Sequence, residues 1–224
     1  MKKLKLVIGA LIKFLCGVLL VGLLIFLPAG DLSYKNGWLF IGLLFVPMLI
    51  LGAVLLIRSP ELLQKRLNAK ETDRTEQGVV KAAALIFIVG FVVAGLDYRF
   101  GWSQAPRPVV LAAAVVLLVS YALYAEVMRE NAYLSRTVEI QEGQKVIDTG
   151  LYGVVRHPMY AVTLWLFFSI PLVLGSFWAL LCFLPYGAVI AVRIVHEEKL
   201  LEASLSGYTE YKKRVRYRLI PLIW

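Results

Sequence analysis

The chain has 224 residues, 60% of them hydrophobic, and a mean hydropathy of +0.75, which is more apolar surface than a soluble domain of this size can bury. Its net charge of +9, from 24 Lys and Arg against 15 Asp and Glu, would suggest nucleic acid in a soluble protein. Here the basic residues gather at the ends of apolar segments, where they set orientation and meet anionic headgroups, so nucleic acid is excluded as a partner. The apolar runs do not alternate in polarity, which excludes a transmembrane β-barrel. The expected fold is all-α, a polytopic transmembrane helical bundle of about five to six spans.

In chain order, a first helix is predicted over about Val7–Leu27, with Lys13 able to snorkel to the basic end. The start M-K-K-L-K-L is similar to a signal peptide, but Lys13 interrupts it and no small-residue cleavage site follows, so a retained helix is expected. The second helix, Gly37–Ile57, is 21 uncharged residues with Pro47 as an expected kink. In R-S-P-E-L-L-Q-K-R, Ser59 can cap, Pro60 suits the first helical position and Leu62, Leu63 and Leu67 give an apolar side. This predicts a short amphipathic helix on the membrane surface, within a connection near 58–78, or else a solvated loop.

A third helix is expected over Val79–Leu96, then an interfacial turn at D-Y-R-F-G-W-S. A fourth starts after Pro108 and continues through Glu126–Asn131. The polar segment Leu134–Thr149 reads as a loop or extended stretch. Residues 1–131 thus form four N-terminal spans, and 132–224 a C-terminal unit with a loop, a hairpin and a basic tail. Basic counts place the N- and C-termini on the cytoplasmic side of a multi-pass protein, in a bacterial inner membrane or the endoplasmic reticulum.

Met159–Val192 holds 34 residues without a charge. As one helix it would measure roughly 50 Å against a hydrocarbon core of about 30 Å. Leu174-Gly175-Ser176, just after Pro171, is the natural break, and a hairpin of Pro158–Leu174 and Phe177–His196 is predicted. The hairpin would make neighbours of two polar clusters, Gly150–Tyr160 and Arg193–Leu201.

In the first cluster His157 stands between Arg156 and Pro158, and the amides of the helix that follows are a candidate anion site. In the second, Arg193 and Glu197 lie four apart and share a helix face, as a mutual salt bridge or as cavity groups. His196 and Glu198 point elsewhere and read as headgroup-level residues. Five positive charges in the seven residues Lys212–Arg218 read mainly as a surface anchor. Cys16 and Cys182 lie in apolar segments and read as small buried hydrophobes. H-E-E-K-L is not H-E-x-x-H, the chain has two histidines, and no Gly-rich phosphate loop is present, so neither a metal site nor a nucleoside triphosphatase is expected.

The run D-T-G-L-Y-G-V-V-R-H-P-M-Y, the apolar insert, R-I-V-H-E-E-K-L-L and Y-T-E-Y-K-K-R-V-R together resemble the isoprenylcysteine carboxyl methyltransferase family, and in looser form the related phospholipid N-methyltransferases. The likeness is strong over Gln144–Pro221, and R-S-P-E-L-L-Q-K-R is like bacterial members. It implies S-adenosylmethionine as methyl donor, held by the C-terminal half beneath a cytosolic lid. By matching positions it implies Gln144, Lys145, Val146, Ile147, Tyr152, His157, Pro158, Met159 and Tyr160 as cofactor contacts. Glu197 matches the acidic cofactor residue and Arg193 the basic residue on the substrate side; these two carry the catalytic assignment. Gln144 stands where animal relatives would carry histidine, and Ala161 replaces a common glycine.

The implied chemistry is an in-line displacement, in which placement of donor and acceptor supplies much of the acceleration. A carboxylate acceptor needs no general base, and Arg193 would orient it. The expected partners are a lipophilic small-molecule or prenylated substrate and membrane lipids, with no obligate protein partner. The alternatives are a phospholipid amine methyltransferase, a sterol-reductase-like enzyme using NADPH, and a membrane scaffold without activity.

Overall fold

The computed structural model describes residues 2–67, 74–134 and 140–224. Among them are nine α-helices and no strand. The helices are α1 (Lys2–Ala29), α2 (Lys35–Arg58), α3 (Pro60–Leu67), α4 (Arg74–Phe100), α5 (Arg107–Glu130), α6 (Pro158–Leu174), α7 (Phe177–Phe183), α8 (Pro185–Ser204) and α9 (Tyr208–Arg214). Among the described residues five stretches are long and apolar enough to cross a membrane: Leu4–Ala29, Lys35–Arg58, Gln77–Phe100, Arg107–Glu130 and Phe177–Ser204. The protein is a multi-pass helical membrane protein.

The outer helices carry leucines that are open to the surroundings, such as Leu15, Leu19 and Leu23 on α1, as suits a lipid-facing wall. Cys16, expected to be buried, is exposed on that wall and Cys182 is half-buried; a thiol in an apolar layer needs no cover. The core lies where α1, α2 and α4 meet α5, α6 and α7, around Phe40, Phe91, Leu117, Ile170 and Phe183. Close approach there needs small residues: a Cβ at Gly90 would fall 2.2 Å from the Phe183 ring, and one at Gly95 would fall 2.4 Å from the Ile25 carbonyl oxygen.

The predicted hairpin forms. The first arm, α6, has the predicted bounds. Gly175 closes it at φ 83°, in the left-handed region, and the Ser176 hydroxyl caps α7 by accepting from the Ala179 amide. The second arm differs from expectation in two ways. Pro185 has no N–H to continue the ladder, so the arm divides there into α7 and α8. It also extends past His196 to Ser204.

Other boundaries moved for local reasons. The expected turn at D-Y-R-F is the last turn of α4, because Asp97 finds its partners inside the protein: the Ser103 amide and hydroxyl each donate to it at 2.6 Å, and the Ser176 hydroxyl donates as well. α2 runs through Pro47 unbroken. α3 begins at Pro60 as expected, and the rest of the 58–78 connection lies partly outside the described residues. Lys13 donates to the Leu67 carbonyl instead of reaching outward, which ties α3 to α1.

Candidate functional site

Tyr186, Ile190, Arg193, Glu197 and Leu201 recur every three or four residues along α8, so they share one face. Tyr160, Thr163 and Phe167 do the same on α6. The two rows run in opposite directions and face each other: the Tyr160 hydroxyl reaches Glu197, and the Phe167 ring lies 5.0 Å from that of Tyr186. Between them is a cavity of about 290 Å³, near the lower end for small-molecule sites. From Tyr186 to Glu197 α8 rises about 16 Å. The cavity is therefore long, with an apolar end at Phe167, Tyr186 and Ile190 and a polar end at Tyr160 and Glu197.

Arg193 stands at the junction. Its Nε donates to the Tyr160 hydroxyl at 2.9 Å, and that hydroxyl donates to Glu197 Oε2 at 2.6 Å. Tyr160 thus stands between the two residues that one face of α8 brings together, and fixes both. The His157 ring stacks on Tyr160 at 5.7 Å, which limits its rotation.

Glu198, expected at headgroup level, is 3% exposed. Arg156 Nε donates to its Oε1 at 2.7 Å, Arg218 Nε to its Oε2 at 2.9 Å, and His157 Nε2 lies 3.3 Å from Oε1. Arg156 also donates from Nη1 to the carbonyls of Val215 and Arg216, both at 2.8 Å. A buried carboxylate is tolerable when it is paired and hydrogen-bonded in this way. Of the basic tail, expected mainly as a surface anchor, Arg218 is drawn inward by the same cluster. Lys212 and Arg214 pair at the surface, with Glu202 and Asp148.

The tail also changes the start of α6. The amides of Arg156 and His157 donate to the Tyr217 and Arg218 carbonyls at 2.9 Å, and the Tyr160 amide donates to the His157 carbonyl. Pro158 has no N–H. The open cluster of amides expected at this helix start is therefore largely taken up within the chain. Pro158 is buried at the first position of α6 and does not line the cavity.

The other matched positions do line it. Gln144, Lys145, Val146 and Ile147 form one wall, although the Gln144 side-chain oxygen also accepts from the Gln141 amide at 2.9 Å. Tyr152 lines it from the short 3-10 turn Gly150–Gly153, its hydroxyl accepting from Asn131 Nδ2 at 3.0 Å. His157, Met159 and Tyr160 complete that side, opposite Arg193 and Glu197. Of the expected lid, residues 135–139 lie outside the described residues.

Sequence reasoning missed Tyr208 and Tyr211, which belong to a quoted motif but carried no assigned role. Both are buried on α9, and the Tyr211 hydroxyl donates to the Tyr152 carbonyl at 2.7 Å, fastening the 3-10 turn. Burial pushes the hydroxyls of Tyr152, Tyr208 and Tyr211 well above the ordinary tyrosine range, so they stay protonated and do not serve as bases. The Tyr208 hydroxyl is buried in the cavity wall without a hydrogen-bond partner. An orphaned donor of this kind fits a polar ligand at that end. Arg66 and Tyr124 were missed as well; they line the cavity from α3 and α5. The available signal was R-H-P beside E-E: each cluster holds two candidate partners, and spacing alone does not say which pair is buried.

Residues 108–206 match the family model described as phospholipid methyltransferase. This is the family that the sequence motifs share in looser form. Comparison with curated proteins gave no match. The matched segment begins at the start of α5 and ends just past α8, so it includes Tyr152, His157, Tyr160, Arg193 and Glu197. The match supports a membrane methyltransferase.

Proposed function

We propose that the protein transfers the methyl group of S-adenosylmethionine to a lipophilic acceptor, the carboxylate of an isoprenylcysteine-like compound. The observation that carries this reading is the two-ended cavity, with a held acid at its polar end, an aromatic slot at its apolar end and Arg193 at the join. The cofactor would supply an electrophilic methyl on a sulfonium. Glu197, positioned by Tyr160, takes the ligand's ammonium, and the protonated hydroxyl of Tyr208 donates to a polar group beside it. Val146, Ile147 and Met159 offer apolar surface for the nucleoside. Arg193 holds the acceptor carboxylate in line for attack, and the Phe167–Tyr186 slot takes its tail. A carboxylate is already ionised, so this chemistry asks no residue to remove a proton.

A second reading, N-methylation of a phospholipid amine, is favoured by the family match itself. It requires a base, and Glu197 is the carboxylate in the cavity wall that would serve.

Purified protein in detergent, given methyl-labelled S-adenosylmethionine and a lipid extract, separates the two. A base-labile methyl ester is the expected product, whereas label in phosphatidylethanolamine would favour the amine. Glu197→Ala should weaken cofactor binding by at least about tenfold. Arg193→Ala should mainly lower turnover, with cofactor affinity kept. If both variants bind cofactor and transfer methyl like wild type, the site assignment fails.

A further inference from the structure

Among the described residues, two buried side-chain polar atoms have no hydrogen-bond partner: the Tyr208 hydroxyl and Arg66 Nη1. Both residues line the same cavity. Tyr208 belongs to the polar end, beside the loop and α9. Arg66 does not. It projects from the last turn of α3 onto Tyr124, donating from Nη2 to the tyrosine hydroxyl, with its guanidinium carbon 5.3 Å from the ring centre.

The position is unusual for a cation. Tyr124 lies six residues before the end of α5 at Glu130, about 9 Å short of it. Lys13, which fastens the same short helix, is eleven residues into α1. α3 therefore dips below the ends of its neighbours and carries Arg66 toward the apolar layer. Among the described residues Arg66 makes no ion pair, and one of its nitrogens is shut away from solvent unbonded. Arg156, a buried arginine, has by contrast a carboxylate and two carbonyls. A guanidinium nitrogen shut away without an acceptor is destabilising, and docking α3 onto Tyr124 accounts for Nη2 but not for Nη1.

We infer that Arg66 is an anion-binding residue of the acceptor site, with Nη1 receiving an oxyanion of the amphiphile that the cavity admits. The site thereby holds two separated cations on the acceptor side, Arg193 at the junction and Arg66 on the α3–α5 wall. The acceptor class becomes an anionic amphiphile, carboxylate or phosphodiester, and neutral lipids are selected against. This inference rests on the proposed reading for the meaning of the anion as acceptor, but the binding itself needs no cofactor.

The test uses the full chain in non-ionic detergent without cofactor. Three probes share one fluorescent alkyl tail and end in a carboxylate, a methyl phosphodiester or a hydroxyl. Wild type should bind at least one anionic probe about tenfold tighter than the hydroxyl probe, the scale of one charge-assisted bond. The tighter anion identifies the source. Arg66→Met should remove most of that preference, with Arg193 supplying the remainder, Arg66→Lys should keep more of it, and S-adenosylmethionine binding by calorimetry should be unchanged in both. If Arg66→Met lowers the unfolding temperature yet keeps the preference, Arg66 only docks α3 and the inference is overturned. A wild-type protein that binds all three probes alike overturns it as well. Failure of wild type to bind S-adenosylmethionine would instead defeat the proposed function and leave the anion result standing.

Discussion

The two ends of the α6–α8 hairpin each bury one acid, and they satisfy it in opposite ways. At the turn end, Asp97 is 1% exposed and, among the described residues, accepts from neutral donors: the amide and hydroxyl of Ser103 and the hydroxyl of Ser176. The same serines serve the turn around them. Ser176 caps α7, Ser103 accepts from the Phe177 amide at 3.0 Å, and the Ala105 amide donates to the Gly175 carbonyl at 3.0 Å. The group is compact and closed on the turn, although Ser176 lies seventy-nine residues from Asp97. At the other end, Glu198 is 3% exposed and takes two arginines and a histidine from three different positions along the chain. Its partners lie twenty to forty-two residues away, and through Arg156 and Arg218 it pins the tail across the start of α6. The difference shows in the neighbour of each acid. Asp97 stands alone, whereas Glu198 satisfies the buried cations and leaves Glu197, one residue earlier, turned to the cavity beside Tyr160.

The sharpest way to break this contrast is Glu198→Ala. It strands a buried Arg156, and removing one partner of a buried ion pair typically costs about 3–5 kcal/mol. The expected outcome is a large drop in unfolding temperature in detergent, together with loss of cofactor binding as the tail detaches; unchanged stability would mean that the clamp does not hold the tail. Asp97→Ala should be smaller, about 1.5–3 kcal/mol, because it removes hydrogen bonds to an ion but strands no opposite charge. S-adenosylmethionine affinity, measured by calorimetry below the unfolding temperature, should be retained; a fall in affinity would show that the two ends are coupled. Ser176→Ala should be smallest, about 1 kcal/mol for a lost helix cap, again without effect on the binding end. A loss as large as that of Asp97→Ala would mean that the Ser176 bond dominates the turn.

The candidate site was legible where chemistry depends on local spacing. Arg193 and Glu197 were placed together by a four-residue interval, and the return of the hairpin toward Gly150–Tyr160 by the length of an uncharged run. The loop Gln144–Ile147 came from resemblance alone, and it does line the cavity. What was misjudged had its partners elsewhere in the chain. Glu198 read as a headgroup residue because its three partners sit on segments far from α8. Asp97 read as part of a turn because Ser176 is seventy-nine residues away. Arg66 carried no role of its own because nothing in α3 points to Tyr124.

The sequence by itself determined the class of molecule and its spans: apolar length must match the membrane core, and a bend is required where a run exceeds it. It also determined the break at Gly175-Ser176, since one residue tolerates a left-handed backbone and the next caps a helix. Only the tertiary structure decided which of two adjacent glutamates faces the cavity, which arginine is consumed in the core and which keeps a nitrogen unbonded. Helical periodicity assigns residues to faces, but the face that each one meets is set by packing between segments tens of residues apart, and no local pattern encodes that choice.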